Sequence, residues 1–414
     1  MESLKHVSML YFTMSIEKGD PPLKGIRVLD LSRVLAGPFC SMTLSDLGAE
    51  VIKVEMPGRG DDTRAFPPFI NGASSYFLSI KRGKKSITLD LKTDEAREAL
   101  YRIAERCDVL LENFRPGVTE RLGVHYDKLR EVNPRLVYCS ISSFGQTGPY
   151  AKWPGYDLII QGMGGLMGIT GDPDGPPVRI GVAITDIGAG MWATIAILSA
   201  LRARESTGEG QYLDVSMIDG AVSWMTYMAG NYFATGVVPP KMGSAHPSIV
   251  PYQAFVAGDG KGILIAAGND RLWGLLCDGM GLQEMKEDPR YAAAEGRVEH
   301  RDVLIQALQE EFKRRSRDEW LEALRTVGFP CAPVYTLDEV FSDPQVLHRE
   351  MLLEMEHPQA GTIKQIGPTL KLSENPCRLT TPPPLLGQHN EEVLKELAGY
   401  TDDEIEGLRK AKAI

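Results

Sequence analysis

At 414 residues, 43% hydrophobic and 24% charged, the chain has the make-up of a globular protein long enough for two sizeable cores. Its net charge of -10 argues against nucleic acid as the main partner, because that role calls for a basic footprint. The six cysteines (Cys40, Cys107, Cys139, Cys277, Cys331, Cys377) form no CxxC pair and the seven histidines show no HExxH-like spacing, so we expect reduced thiols, a cytoplasmic protein and no bound metal.

Residues 1–22 carry a short apolar patch flanked by acids, with no arginine and no small-residue cleavage site, and read as a flexible extension rather than a targeting peptide. From Leu23 the pattern alternates. Strand Ile26 to Leu31, helix Pro38 to Leu47 and strand Val51 to Val54 make one βαβ unit. Strand Ser86 to Leu91 follows, then a helix over Asp94 to Arg106 behind a Thr93 cap, and strands Val109 to Leu111 and Leu136 to Ile141. This is the signature of an α/β fold with a mostly parallel, doubly wound sheet that binds ligands at the carboxyl ends of its strands. Gly162, Gly164, Gly165 and Gly168 miss the GxGxxG spacing, and no GxxxxGK[ST] occurs, which argues against a P-loop ATP site. Those glycines are expected to let backbones pack closely.

The longest apolar run, Gly188 to Leu201, is 14 residues. A bilayer span needs about 20, so no membrane is expected. Strand Tyr212 to Met217, one aromatic-rich helix over Ile218 to Ala234, and a linker over Thr235 to Pro251 come next. Beyond them strands Gln253 to Val256, Ile263 to Ala267 and Cys331 to Tyr335, a Gly-Asn-Asp turn and intervening helices predict a smaller α+β domain over 235–344. Two strand-like stretches, Leu352 to Glu356 and Thr362 to Ile366, and two charged helices close the chain.

Asp186 stands at the start of the apolar helical run, where it reads as an N-cap. The helix dipole favours its carboxylate by roughly 0.3–1 kcal/mol, and burial would have to raise the pKa by about three units from ~3.9 to protonate it at neutral pH, so an ionised carboxylate is expected. Asp157 is a second candidate for the same site. The basic cluster Lys81, Arg82, Lys84 and Lys85, with Lys53, Arg59, Arg64 and Lys92 elsewhere in the first 92 residues, suits either a polyanionic ligand or a solvated face. Asp61, Asp62 and Arg64 read as a turn with its own ion pair, and His246 as a turn residue or a contact for an acidic substrate.

The chain resembles the class III (family III) coenzyme A transferases from Leu23 to about Gly399. The resemblance rests on LKGIRVLDLSRVLAGP (23–38), LGAEVIKVEMPGRGDDTR (47–64), KRGKKSITLDLK (81–92), DVLLENFRPGVTERLG (108–123), GQTGPYAKWPGYDLIIQ (145–161), GVAITDIGAG (181–190), TGEGQYLDVSM (207–217) and PPPLLGQH (382–389). GSAHPSIVPYQAF (243–255) and AAGND (266–270) are most similar to the succinate–hydroxymethylglutarate members.

The resemblance implies Asp186 as nucleophile, with Val34, Ala36, Leu89, Lys92, Asn113, Phe114, Arg121 and Leu122 on CoA and Tyr156 and Asp157 beside the nucleophile. It also implies succinyl-CoA or another dicarboxylyl-CoA as donor, a carboxylic acid as acceptor, and no tightly bound cofactor, CoA itself being substrate. Arg64, Arg179 or His246 would meet the acceptor's distal carboxylate. The fold implied is a Rossmann-like large domain built from both chain ends (23–234 and 345–414) around the small domain, in an interlocked homodimer. Leu35 and Met56 stand where some members carry glutamine and arginine, and AAGND replaces the polyglycine lid of formyl-CoA transferases. α-Methylacyl-CoA racemases share the fold but place a histidine where Tyr156 stands, and tyrosine, with a pKa near 10, is a poor general base at neutral pH. A carnitine-type transferase and a non-catalytic CoA-binding protein are the remaining alternatives.

Overall fold

The computed structural model describes residues 17–377, 379 and 381–414, and its centre is a six-stranded sheet. The strands are β1 (Arg27–Asp30), β2 (Glu50–Glu55), β3 (Lys84–Thr88), β4 (Val109–Glu112), β5 (Val137–Ser142) and β6 (Tyr212–Ser216). They lie in the order β3-β2-β1-β4-β5-β6 and every pair is parallel. Val28 pairs with Val51 on one side and Val109 on the other. The runs VLLE and VYCSIS are buried along their whole length, as strands covered on both faces must be. The order reverses between β1 and β4, the doubly wound switch point where ligands bind outside the carboxyl ends.

Helix α2 (Asp94–Ala104) forms behind the Thr93 cap, whose hydroxyl accepts from the Ala96 N–H at 3.2 Å. Its Ala96, Leu100 and Ile103 pack with Leu29, Ile52, Ile87 and Leu110 of the sheet, and the C-terminal helices Asn390–Glu396 and Asp402–Lys410 add Leu394 and Leu408 to that core. Helices α1 (Ala36–Asp46) and α4 (Ile184–Thr207) pack on each other and on the sheet, with α3 (Asp157–Met163) alongside. The α1–α4 crossing depends on Gly190: a Cβ there would lie 2.7 Å from the Ala36 carbonyl oxygen and 3.3 Å from the Cys40 nitrogen. Gly164, one of the glycines expected to serve close packing, would put a Cβ 2.7 Å from that of Ala221.

Helix α4 is longer than the apolar run suggested. Its 24 residues are long and apolar enough to cross a bilayer by length and composition, yet half of its most apolar window is buried inside the protein, the behaviour of a core helix. The single helix expected over Ile218 to Ala234 is two, Met217–Ser223 and Thr226–Thr235, with Thr226 at φ 34° starting the second. Of the expected extension, residues 1–16 lie outside the described residues. Residues 17–22 are tied down, with the Gly19 N–H donating to the Glu374 carbonyl (2.9 Å) and Asn375 Nδ2 to that of Asp20 (2.6 Å).

By contact density the chain divides into a first unit, running to Gly164 and including Gly181–Thr226 and His348–Ile414, and a second, Gly165–Ile180 with Tyr227–Leu347. The second therefore takes in both the stretch read as a linker and the loop 165–180. Its sheet is antiparallel, β7 (Tyr252–Val256), β8 (Gly262–Ala266) and β9 (Cys331–Pro333), with β8 central. Phe255, Ile263, Trp273, Leu304, Phe312 and Trp320 form its core. The Gly-Asn-Asp turn is a helix start: Asn269 Oδ1 accepts from the Leu272 N–H at 3.0 Å and caps helix Asp270–Met280.

Candidate active site

Two loops meet at the switch point. After β1 the chain runs through Arg33 and Val34 into α1; after β4 it runs through Asn113 and Phe114. Asn113 stitches them together, its Oδ1 accepting from the Arg33 N–H and its Nδ2 donating to the Arg33 carbonyl, both at 2.8 Å. Both polar ends of that side chain are thereby engaged. Glu112 Oε2 accepts from the Phe114 N–H at 2.7 Å, and burial pushes the Glu112 carboxyl up to about 7.

Beneath the first loop lies a cluster of buried charge. Lys53, Lys81 and Lys84 are sealed from solvent, and Arg82 pairs with Asp46 at 2.6 Å. Lys53, Lys81 and Lys84 thus form neither a solvated face nor an open anion site, because their amino groups point into the protein, whereas Lys85 pairs with Glu50 and Glu392 nearer the surface and Lys92 is exposed. Lys53 and Lys81 reach Asp61 Oδ2 at 2.9 and 3.0 Å, and Lys84 reaches Asp30 Oδ2 at 3.0 Å. Burial works to protonate both aspartates, but the lysines outweigh it: Lys53 and Lys81 hold the Asp61 carboxyl far below the usual range, and Lys84 and Lys53 do so for Asp30. For Lys81 the balance is opposite, since burial and repulsion from Lys53 pull its pKa well below that of an ordinary lysine.

Asp186 sits in the first turn of α4, three residues past the cap position, which belongs to Ala183. The capping is done from another helix. Asp157, first residue of α3, accepts from the Thr185 N–H (2.9 Å) and hydroxyl (2.8 Å) through Oδ1 and from Gln161 Nε2 (2.7 Å) through Oδ2. Asp157 thus accepts three hydrogen bonds, whereas among the described residues no cation faces the Asp186 carboxylate. Burial, then the charge of Asp157, raises the Asp186 pKa to about 7, which corrects the expectation of an ionised group favoured by its helix. Tyr76, on the short helix Ser75–Ile80, feels the same field: burial and the Asp186 charge raise its hydroxyl to about 12. Sequence reasoning missed Tyr76, because no motif links it to Asp186; the two meet only through the fold.

Val34, Tyr76, Ala183 and Ile187 pack around Leu35, Met42 and Ile80, so the loop before α1 abuts the first turn of α4. Leu35, where some members carry glutamine, turns inward as part of this cluster. Beside it an apolar cavity of ≈ 230 Å³ is lined by Leu35, Phe39, Met42, Ile80, Ile187 and Leu370. Ala36 is buried at the start of α1. A second cavity, ≈ 220 Å³, opens at the ends of β1 to β4 and gathers Leu89, Lys92, Phe114, Arg121 and Leu122 with Met56. Arg33 stacks over the Phe114 ring at its rim, 5.4 Å from the centroid.

Arg64 binds Glu55 through both arms of its fork, at 2.7 Å each, and lies 3.8 Å over the Phe77 ring, so its pairing is with Glu55 and not with the adjacent aspartates. Tyr156 is 71% exposed at the cap of α3. In the second unit, the His246 ring stacks on Tyr227 (5.4 Å) and meets Tyr252 edge-on, and its Nδ1 accepts from the Ser248 N–H at 3.0 Å. Arg179 is exposed there.

Residues 23–390 match CoA-transferase family III. The chain is 44% identical to a mouse (Mus musculus) succinyl-CoA:glutarate CoA-transferase over 388 residues, covering 94% of this chain and 89% of that protein. It is 41% identical to a succinate–glutarate CoA-transferase of Agrobacterium fabrum, covering 91% and 96% respectively. Among solved structures, a CAIB/BAIF family protein from Brucella suis superposes with a TM-score of 0.82 at 42% identity, over 91% of this chain and all of that one. With its parallel sheet, its switch-point cavity and a match spanning most of its length, the chain belongs to CoA-transferase family III.

Proposed function

We propose that this enzyme moves CoA from succinyl-CoA, or another dicarboxylyl-CoA, to a dicarboxylic acid of glutarate-like length, with Asp186 as the acylated residue. The observation that carries the reading is the environment of Asp186, a carboxylate that meets no cation among the described residues, in the first turn of α4 and next to the loop that precedes α1. A carboxylate neutralised by a lysine would be a poor nucleophile; this one needs only to lose its proton near pH 7.

The chemistry is a chain of balanced acyl exchanges. Asp186 attacks the donor thioester carbon, the C–S bond breaks, and CoA leaves as thiolate from a mixed anhydride. The thiolate attacks the aspartyl carbonyl of that anhydride, releasing the donor acid as its carboxylate and leaving an aspartyl-CoA thioester. The acceptor carboxylate then displaces the thiolate to form a second anhydride, and the thiolate takes the acceptor's acyl group, restoring Asp186. No net proton is consumed, and a covalent relay splits one difficult exchange into easier ones. The cavity with Leu89, Lys92, Phe114, Arg121 and Leu122 suits the nucleotide end of CoA, and the apolar one beside Ile187 suits the methylenes of the acyl group.

A homodimer belongs to the same reading. Leu158, Ile159, Met163, Met191, Trp192 and Ile195 of α3 and α4 are each more than 40% exposed, an apolar face of the kind that marks interfaces. Sedimentation of the wild type against Met191→Asp/Ile195→Asp tests it, a dimer for the first and monomer for the second being expected.

The principal test is intact-mass measurement after incubation with succinyl-CoA and trapping with hydroxylamine, followed by a panel of acceptor acids. The wild type is expected to give an adduct that passes to glutarate-like acids, and Asp186→Ala to give none and to lose roughly 10³-fold or more in transfer. Deuterium incorporation at the α-carbon of a branched acyl-CoA with no adduct would assign a racemase instead.

A further inference from the structure

Val34 has φ 64°, the left-handed region, which is strained for a β-branched residue. It is gripped at both ends. Its N–H donates to Asp61 Oδ1 at 3.3 Å, and its carbonyl accepts from Lys81 Nζ at 2.9 Å. The two grips are ion-paired with each other at 3.0 Å, and each is fixed in turn. Thr63 donates to Asp61 Oδ1 from its N–H (3.0 Å) and hydroxyl (2.7 Å), and Lys53 pairs with Oδ2 while donating to the Ser32 carbonyl at 2.8 Å. The strained residue packs against the same Leu35, Met42 and Ile80 cluster as Ala183 and Ile187, which flank Asp186 along the chain, and the next turn of α1 crosses α4 at Gly190.

We infer that Asp61 and Lys81 are positioning residues for the transfer reaction, holding Val34 in its left-handed conformation so that the 34–36 loop keeps the shape that presents the donor thioester to Asp186. Backbone strain of this kind persists only where the surroundings over-determine it, and a fully buried ion pair that grips the N–H and the carbonyl of one residue is such a surrounding. The cluster holds three lysines, Lys53, Lys81 and Lys84, against Asp30 and Asp61. Lys81 is the surplus cation, so neutralising it balances the cluster rather than orphaning a carboxylate.

The inference rests on Asp186 as the acylated residue, and its test separates the two. Single-turnover acylation from saturating succinyl-CoA is measured for the wild type, Lys81→Met, Val34→Gly and the double variant. Loss of the grip lets Val34 relax toward ordinary backbone, and Lys81→Met is expected to slow acylation by about 5–30-fold, the population factor of a left-handed residue. In the Val34→Gly background, where φ 64° carries no strain, the same substitution is expected to cost less than about threefold. Equal losses in both backgrounds overturn the inference, since a purely structural role of Lys81 would not depend on residue 34. If Lys81→Met does not fold, Val34→Pro, whose φ is locked near about −65°, is compared with Val34→Gly, and at least about tenfold slower acylation is expected for proline. Equal rates overturn the inference. A wild type that forms no adduct defeats the reading of Asp186 instead.

Discussion

Asp61 and Asp186 are carboxylates of the same unit, both largely screened from water, and their proton affinities move in opposite directions. Burial pushes both toward protonation. At Asp61, Lys53 and Lys81 reverse it; at Asp186 no cation among the described residues does, and the neighbouring Asp157 adds to it. The partner within a few ångströms decides the sign, and burial only raises the stakes. One region uses charge to hold a loop, and in the other the proposed nucleophile meets no cation among the described residues.

The largest effect expected comes from breaking the first region. Asp61→Ala leaves Lys53 and Lys81 without their carboxylate in a sealed site, and should destabilise the protein by about 3–5 kcal/mol, read by denaturant unfolding. Because the Asp30 and Asp61 pKa values are depressed, their contribution is fully present above the unfolded value of 3.8 and is lost as pH falls below it, so acid unfolding of the wild type should begin there.

Asp186 carries the opposite sign. Its folded pKa of about 7 exceeds 3.8, so the folded state binds the extra proton between those values and stability declines as pH rises across that window. Asp186→Asn should therefore be more stable than the wild type at pH 8, on the order of 1–3 kcal/mol, and indistinguishable at pH 4. In the wild type, kcat/KM should fall tenfold per unit below about pH 7, the limb reporting Asp186 in the free enzyme.

Asp157→Asn sharpens the comparison with the smallest effect. The amide oxygen can still cap Thr185, so the cost should be about 1 kcal/mol, while loss of the neighbouring charge should move that limb to lower pH. A limb that stays in place would show that burial alone sets the Asp186 pKa.

Much of the frame was legible. The six strands, the Thr93 cap and the candidacy of Asp186 followed from alternation, capping chemistry and motif. What misled was chemistry that depends on distant partners. The KRGKK segment reads as a basic surface because nothing local announces that Asp30 and Asp61, far back in the chain, wait beneath it. Arg64 looked like the partner of the adjacent aspartates and binds Glu55 across the end of β2 instead. The amide of Asn113 joins two loops, a role no local pattern announced. Tyr76 carried no local signal at all.

The sequence by itself therefore determined the parallel α/β frame, the close packing at Gly164 and the candidacy of Asp186, because periodicity, capping and steric freedom act within a turn or a strand. Only the tertiary structure decided which lysines are buried, which aspartate is neutralised and which residue is held under strain. Those depend on through-space distances of about 3 Å between groups far apart in sequence, where low polarity magnifies each charge and no local pattern records it.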